Sequence, residues 1–246
     1  MPFTLAHPAA VLPLRRLGIA LALPPLVAGS MAPDLPYFLP LPGSLRGWTH
    51  SLGGAFTIDI VLAVGLLLFG VFVAVPVAAL LPARWAVLAR SWTASAWPRS
   101  ATGLLSWYAA LVAGALTHVV WDAFTHPDGW VVQRWSLLRR EVAGLPVEQW
   151  LQYVFSGFGM AVVAYALWRA AGRVSAAPTG SQSAARRVLL VGAIVGAGVV
   201  GGVLKVATDQ HDGNLRFDLA TGVGAGLAVG LLVYATAVQG RRLVAA

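Results

Sequence analysis

Five long apolar runs, at about residues 55–81, 103–125, 150–171, 188–207 and 219–239, restrict this chain to one kind of environment. Each run is close to the roughly 20 residues that an α-helix needs to cross the hydrocarbon of a bilayer. A soluble fold would have to bury all five around its core and still cover itself with polar side chains. Soluble domains carry charge on roughly 25% of residues, whereas this chain has 11% and a mean hydropathy of +0.76. The expected fold is therefore all-α, a polytopic membrane helix bundle with five spanning helices and an N-terminal re-entrant helical hairpin. It is read as a single integral membrane domain over 1–246. Residues 1–130 carry the candidate site, 150–246 a helical scaffold, and 172–187 a flexible linker with basic ends.

The hairpin follows from proline and charge. Pro2, Pro8, Pro13, Pro24 and Pro25 interrupt the first apolar stretch, and Arg15-Arg16 would sit at depth in a straight span, the alternative reading of residues 1–33. A short helix over about 8–16, a turn, and a second helix over about 17–31 would return Asp34 to the end where His7 begins. Residues 34–52 are a Pro/Gly-rich connection, 82–100 an interfacial loop with three tryptophans, and 127–149 a polar loop. With this topology nine arginines (84, 90, 99, 169, 173, 186, 187, 241 and 242) lie opposite the site. Six basic residues (Arg46, Arg134, Arg139, Arg140, Lys205 and Arg216) and every acid except Asp59 lie on the site side. Positive charge favours the cytoplasm, which puts the site on the external face of the membrane.

The net charge of +8 does not read as nucleic-acid binding, because the basic residues mark segment ends and form no basic-aromatic patch. The absence of cysteine leaves any metal to His and carboxylate donors. His118 and Asp122 supply such donors one helical turn apart, about 6 Å on one face, inside an apolar stretch. Ionisable groups in a membrane segment are costly and mark function by default. His7, Asp34 and His50 converge on the same face in the hairpin topology, giving three imidazoles and two carboxylates. That set suits one or two first-row divalent ions, zinc foremost. Each residue also has a plainer reading: a packing pair for His118 and Asp122, a helix cap for His50, a turn residue for Asp34. His126, before Pro127, is a further ligand, a proton-transfer residue or a loop residue. Thr49, Ser51 and Thr125 could orient ligands. The run Asp209-Gln-His211-Asp212 lacks calcium-loop spacing and reads as solvated loop. Trp48, Trp121 and Trp130 read as interface anchors.

The motifs Ala-His7-Pro, Ala-Pro-Asp34-Leu-Pro, Thr49-His50-Ser51 and Leu-Thr-His118-Val-Val-Trp-Asp122-Ala-Phe-Thr-His126-Pro, in that order over about residues 5–130, resemble a bacterial membrane family. That family is catalogued as domain of unknown function 4184. They are also similar to YdjM-type inner-membrane metal-dependent hydrolases and, distantly, to zinc-dependent phospholipase C and P1-type nuclease. The last resemblance implies that Asp34, His50, His118 and Asp122 surround one metal, while His7 and Asp122 help to hold a second. It breaks down after His126, because the downstream His-x-x-x-carboxylate pair of those enzymes has no counterpart here.

Resemblance and composition together lead to an expected membrane-embedded metal-dependent hydrolase. Its substrate would be a phosphoester of a lipid or isoprenoid, its nucleophile a metal-bound hydroxide, and its leaving-group acid His126. Two other classes remain open. One is a metal-dependent lyase or cyclase acting on a prenyl diphosphate, distinguishable by its product. The other is a transporter or scaffold with a structural polar cluster.

Overall fold

The computed structural model describes residues 3–14, 21–175, 183–208 and 215–244. It is helical apart from one two-stranded hairpin. Five helices are long and apolar enough to cross a bilayer: α5 (Ile58–Ala78), α7 (Ala101–Asp122), α9 (Val147–Gly172), α10 (Ala184–Thr208) and α11 (Leu215–Val244). All five expected spans are present. The expected turn at Arg15-Arg16, the centre of the linker and the His211 loop lie outside the described residues.

The chain divides into two compact units. The first holds residues 1–36, 42–67 and 95–170. Its N-terminal arm runs through a 3-10 turn at Thr4–Ala6 into α1 (Pro8–Val11), then returns through α2 (Leu23–Met31) into a 3-10 turn at Ala32–Tyr37. At nine residues, α2 rises about 14 Å, roughly half of the hydrocarbon thickness. That length fits a re-entrant element and not a span. Val11, Leu26 and Ala110 form a fully buried knot between α1, α2 and α7. α2 meets α7 backbone to backbone, because Gly29 faces Leu111 and Gly114 faces Leu26 and Ser30 with no room for a Cβ.

α3 (Ser44–Thr49) and α4 (Leu52–Phe56) precede α5. The expected run from about 55 is broken at Thr57, which leaves helical geometry at φ −129°, ψ −91°, while its hydroxyl donates to Gly53 O at 2.7 Å. α7 starts on a capping hydroxyl, Ser100 Oγ accepting from Gly103 N at 3.0 Å. After α7 the polar loop is more ordered than expected. It contains α8 (Trp130–Arg134), a 3-10 turn at Ser136–Arg139 and the hairpin β1 (Glu141–Val142) and β2 (Leu145–Pro146). Ala143 and Gly144 turn that hairpin, both at positive φ (52° and 82°), the geometry of a tight type I′ connection.

The second unit holds residues 37–41, 68–94 and 171–246. It corrects one expectation, since the interfacial loop at 82–100 is helical over Ala83–Ala94 (α6). Pro82 precedes the first turn, and the following twelve residues contain neither Gly nor Pro. α10 and α11 pack through glycines: a Cβ on Gly201 would lie 2.5 Å from Gly222 O and 2.8 Å from Gly226 Cα. Pro76 inside α5 has no N–H for the Phe72 carbonyl, and Gln239 Nε2 donates to that carbonyl at 3.0 Å. In a bilayer such a repair is needed, because no water is there to bond a freed carbonyl.

Candidate metal centre

The first unit brings all of the expected site residues to one place. Asp34 sits in the 3-10 turn after α2, His50 at the C-cap of α3, and His118 and Asp122 in the last turns of α7. His118 Nε2 lies 3.1 Å from Asp122 Oδ2 and 3.5 Å from Asp34 Oδ1. His50 Nε2 lies 3.5 Å from each of the same two oxygens. Four donors held at about 2.0–2.2 Å by one tetrahedral ion would be roughly 3.3 Å apart, so these four separations match edges of such a shell. The four ligand atoms all fall within 4.8 Å of one another.

The polar contacts around the cluster leave the inner atoms available. His118 Nδ1 faces Ser30 O at 2.8 Å, and His50 Nδ1 faces Arg46 O at 2.9 Å. A carbonyl only accepts, so both Nδ1 atoms carry the proton and both Nε2 lone pairs point into the cluster. Metal-binding histidines are oriented in this way. Asp34 is fixed likewise, with Oδ2 accepting from Thr4 Oγ1 at 2.6 Å. His118 Nε2, Asp34 Oδ1 and both Asp122 oxygens are buried without a hydrogen bond. Buried polar atoms are seldom left so, and a shared cation is the simplest group that would engage all of them. The residues therefore fit a divalent ion.

His7 joins the cluster from the other end of the arm. Its ring stacks on His118 at 3.8 Å, and its Nε2 lies 3.7 Å from Asp122 Oδ1. Burial, helped by His118, lowers its pKa to about 3, so it is a neutral imidazole with both ring nitrogens lacking a partner. It stands beside the four-donor group, outside the set that closes around one point. The arm is held by α9: Phe3 N donates to Ser156 Oγ at 2.9 Å, and Gly159 leaves room for Ala6. His126 turns Nδ1 toward Asp122, 3.3 Å from its backbone O and 3.5 Å from Oδ2. Its Nε2 is buried without a partner, and burial lowers its pKa.

The supporting residues divide differently from their expected roles. Ser51, the neighbour of His50, caps α4, accepting from Gly54 N at 3.0 Å. Thr49 Oγ1 donates to Pro33 O at 2.9 Å, pinning α3 beside Asp34. Thr125 Oγ1 bonds Trp121 O, and Gln152 donates to Thr125 O. Trp48 and Trp130 are exposed as interface anchors would be, whereas Trp121 packs its ring against His7.

Three contributors were not legible as such. Thr4 and the Ser30 carbonyl lack any motif. Asp59 is the one acid expected away from the site side. The helix starts at Ile58, so Asp59 occupies its first turn at the site end, fully buried and within electrostatic reach of His118 and His50. An acid eight residues after Thr-His-Ser in an apolar run was the available signal. Thr4→Val is expected to weaken divalent-ion affinity about tenfold with little change in expression, checked by competition with a metallochromic chelator.

Residues 1–236 match the model of one protein family, described as a domain of unknown function (DUF4184). No curated protein and no solved structure matches the chain.

Proposed function

The chain belongs to the DUF4184 family, and from that premise we propose that it is a membrane-embedded metal-dependent hydrolase of a lipid or isoprenoid phosphoester. One observation carries the reading: two Nε2 atoms and two carboxylates, from three separate stretches of chain, meet at 3.1–3.5 Å, with the outer atoms of His118, His50 and Asp34 already engaged. Asp34, His50, His118 and Asp122 would hold the ion, zinc by donor type, with His7 at its flank. Such an ion polarises a phosphoryl oxygen and lowers the pKa of water.

The remaining chemistry belongs to the chain. Asp122 orients His126 through its backbone carbonyl, leaving Nε2 as the atom that takes a proton from attacking water and returns it to the leaving oxygen. The cluster lies at the C-terminal end of a 22-residue apolar helix, the depth at which a bilayer presents its headgroups, which favours a lipid-borne phosphate.

Detergent-purified protein is expected to contain a divalent ion and to release phosphate from phosphatidate or a prenyl phosphate. His126→Ala should retain the ion and lose about a hundredfold or more in kcat. Ion-free wild-type protein without turnover would leave the structural-scaffold reading in its place. The site face is proposed to be external. Gln133→Cys, near the site end of α7, should react with an impermeant thiol reagent on intact cells, and Ala101→Cys at the other end should not. The native chain has no cysteine, and the reverse pattern would place the site in the cytoplasm.

A further inference from the structure

The loop after α7 carries a second polar feature that the metal cluster does not use. Between Gly129 and Arg140 the chain has three arginines and no acid. Trp130, Trp135 and Leu137 are each more than half exposed, in a segment that a soluble protein would bury. The segment is fixed to the site end of α7: Val131 N and Val132 N both donate to Ala123 O, at 3.1 and 3.2 Å, and Gly129 N to His126 O at 2.9 Å.

The guanidinium groups are held in place without being neutralised. Arg134 lies 4.3 Å over the Trp130 ring and donates to Trp130 O. Arg139 Nη1 donates to Val132 O at 3.1 Å. None of the ion pairs among the described residues involves Arg134, Arg139 or Arg140. A guanidinium has five N–H donors in a fixed fork, so most of the donors on these three side chains still face outward. Exposed tryptophan and leucine beside unneutralised arginine match a bilayer interface, with rings at headgroup level and forks suited to phosphate.

We propose that residues 129–140 form a docking surface for the phosphate of an anionic phospholipid, such as phosphatidylglycerol, in the leaflet that meets the metal cluster. Charge complementarity selects this occupant. The surface offers three cations and apolar rings, and a zwitterionic headgroup would bring its own ammonium to the same place. Arg134 and Arg139, tethered to backbone carbonyls, form the rigid part. Arg140, at the start of the β-hairpin, completes the triad.

The test is native mass spectrometry of full-length protein ejected from nanodiscs containing phosphatidylcholine and phosphatidylglycerol. Wild type is expected to retain phosphatidylglycerol over its bulk share. The triple variant R134Q/R139Q/R140Q should lower that enrichment at least about fivefold, and the triple lysine variant should keep most of it. If the triple glutamine variant does not fold, R140Q alone is informative, because among the described residues the Arg140 side chain makes no hydrogen bond to the backbone, and it should lower the enrichment measurably. A wild type without preference, or a glutamine variant that keeps the full preference, would overturn the proposal. Neither result depends on the metal cluster or on hydrolysis, so this surface and the proposed activity stand or fall separately.

Discussion

Asp122→Asn is expected to abolish divalent-ion binding at working concentrations, lowering affinity by about a hundredfold or more and eliminating phosphate release. Asp122 is the group on which the cluster converges. Its Oδ2 is reached by His118, His50 and His126 at 3.1, 3.5 and 3.5 Å, and its Oδ1 by His7 at 3.7 Å. The amide keeps the size but removes the charge and turns one acceptor into a donor facing the histidine lone pairs. Zinc titration by calorimetry would measure the loss. The ion-dependent rise in thermal stability, about 2.7 kcal/mol at a hundredfold excess over Kd, should vanish with it. Asp128→Asn, exposed in the following turn, should leave both quantities unchanged. An Asp122→Asn protein that still binds zinc stoichiometrically would remove the metal reading.

Gly114→Val should have a large effect although it lies outside the cluster. A Cβ at this position would lie 2.7 Å from Ser30 N and 3.0 Å from Gly29 C, with Leu26 O nearer still. These are backbone atoms of α2, so no side chain can swing aside and the helices must separate. Overpacking of this kind costs about 1–3 kcal/mol. The separation moves the Ser30 carbonyl off His118 Nδ1 and carries Asp34 away from His118 Nε2. The variant should therefore lose thermal stability and bind zinc more than about tenfold more weakly. Gly65→Ala, with nothing within 4 Å of the added carbon, should gain up to about 1 kcal/mol from helix propensity and bind zinc normally.

The ligand types and their candidates were legible because a membrane chain has few reasons to keep ionisable side chains. Asp34, His50, His118 and Asp122 stood out against apolar surroundings, and the turn spacing of His118 and Asp122 placed them on one face. The return of His7 to Asp34 was legible from the proline spacing together with Arg15-Arg16, which would sit at depth in a straight span. Asp59 was misplaced, since its helix starts at Ile58 and holds it at the site end. Helix α6 was missed because arginine and tryptophan look like loop composition at an interface, although each is compatible with a helix.

Hydropathy, the absence of cysteine and the order of the polar motifs thus determined by themselves a five-span helical chain and a set of His and Asp donors. These are properties of single residues and of local spacing, which a one-dimensional pattern carries in full. Tertiary structure alone decided how those donors are used. Ser30 O selects the His118 tautomer, Thr4 orients Asp34, and Gly29 with Gly114 sets how closely α2 approaches α7. The first contribution comes from a backbone carbonyl, which every residue possesses and no sequence can single out. The others are contacts across dozens of residues, where a shift of an ångström separates a shared ion site from four unrelated polar side chains.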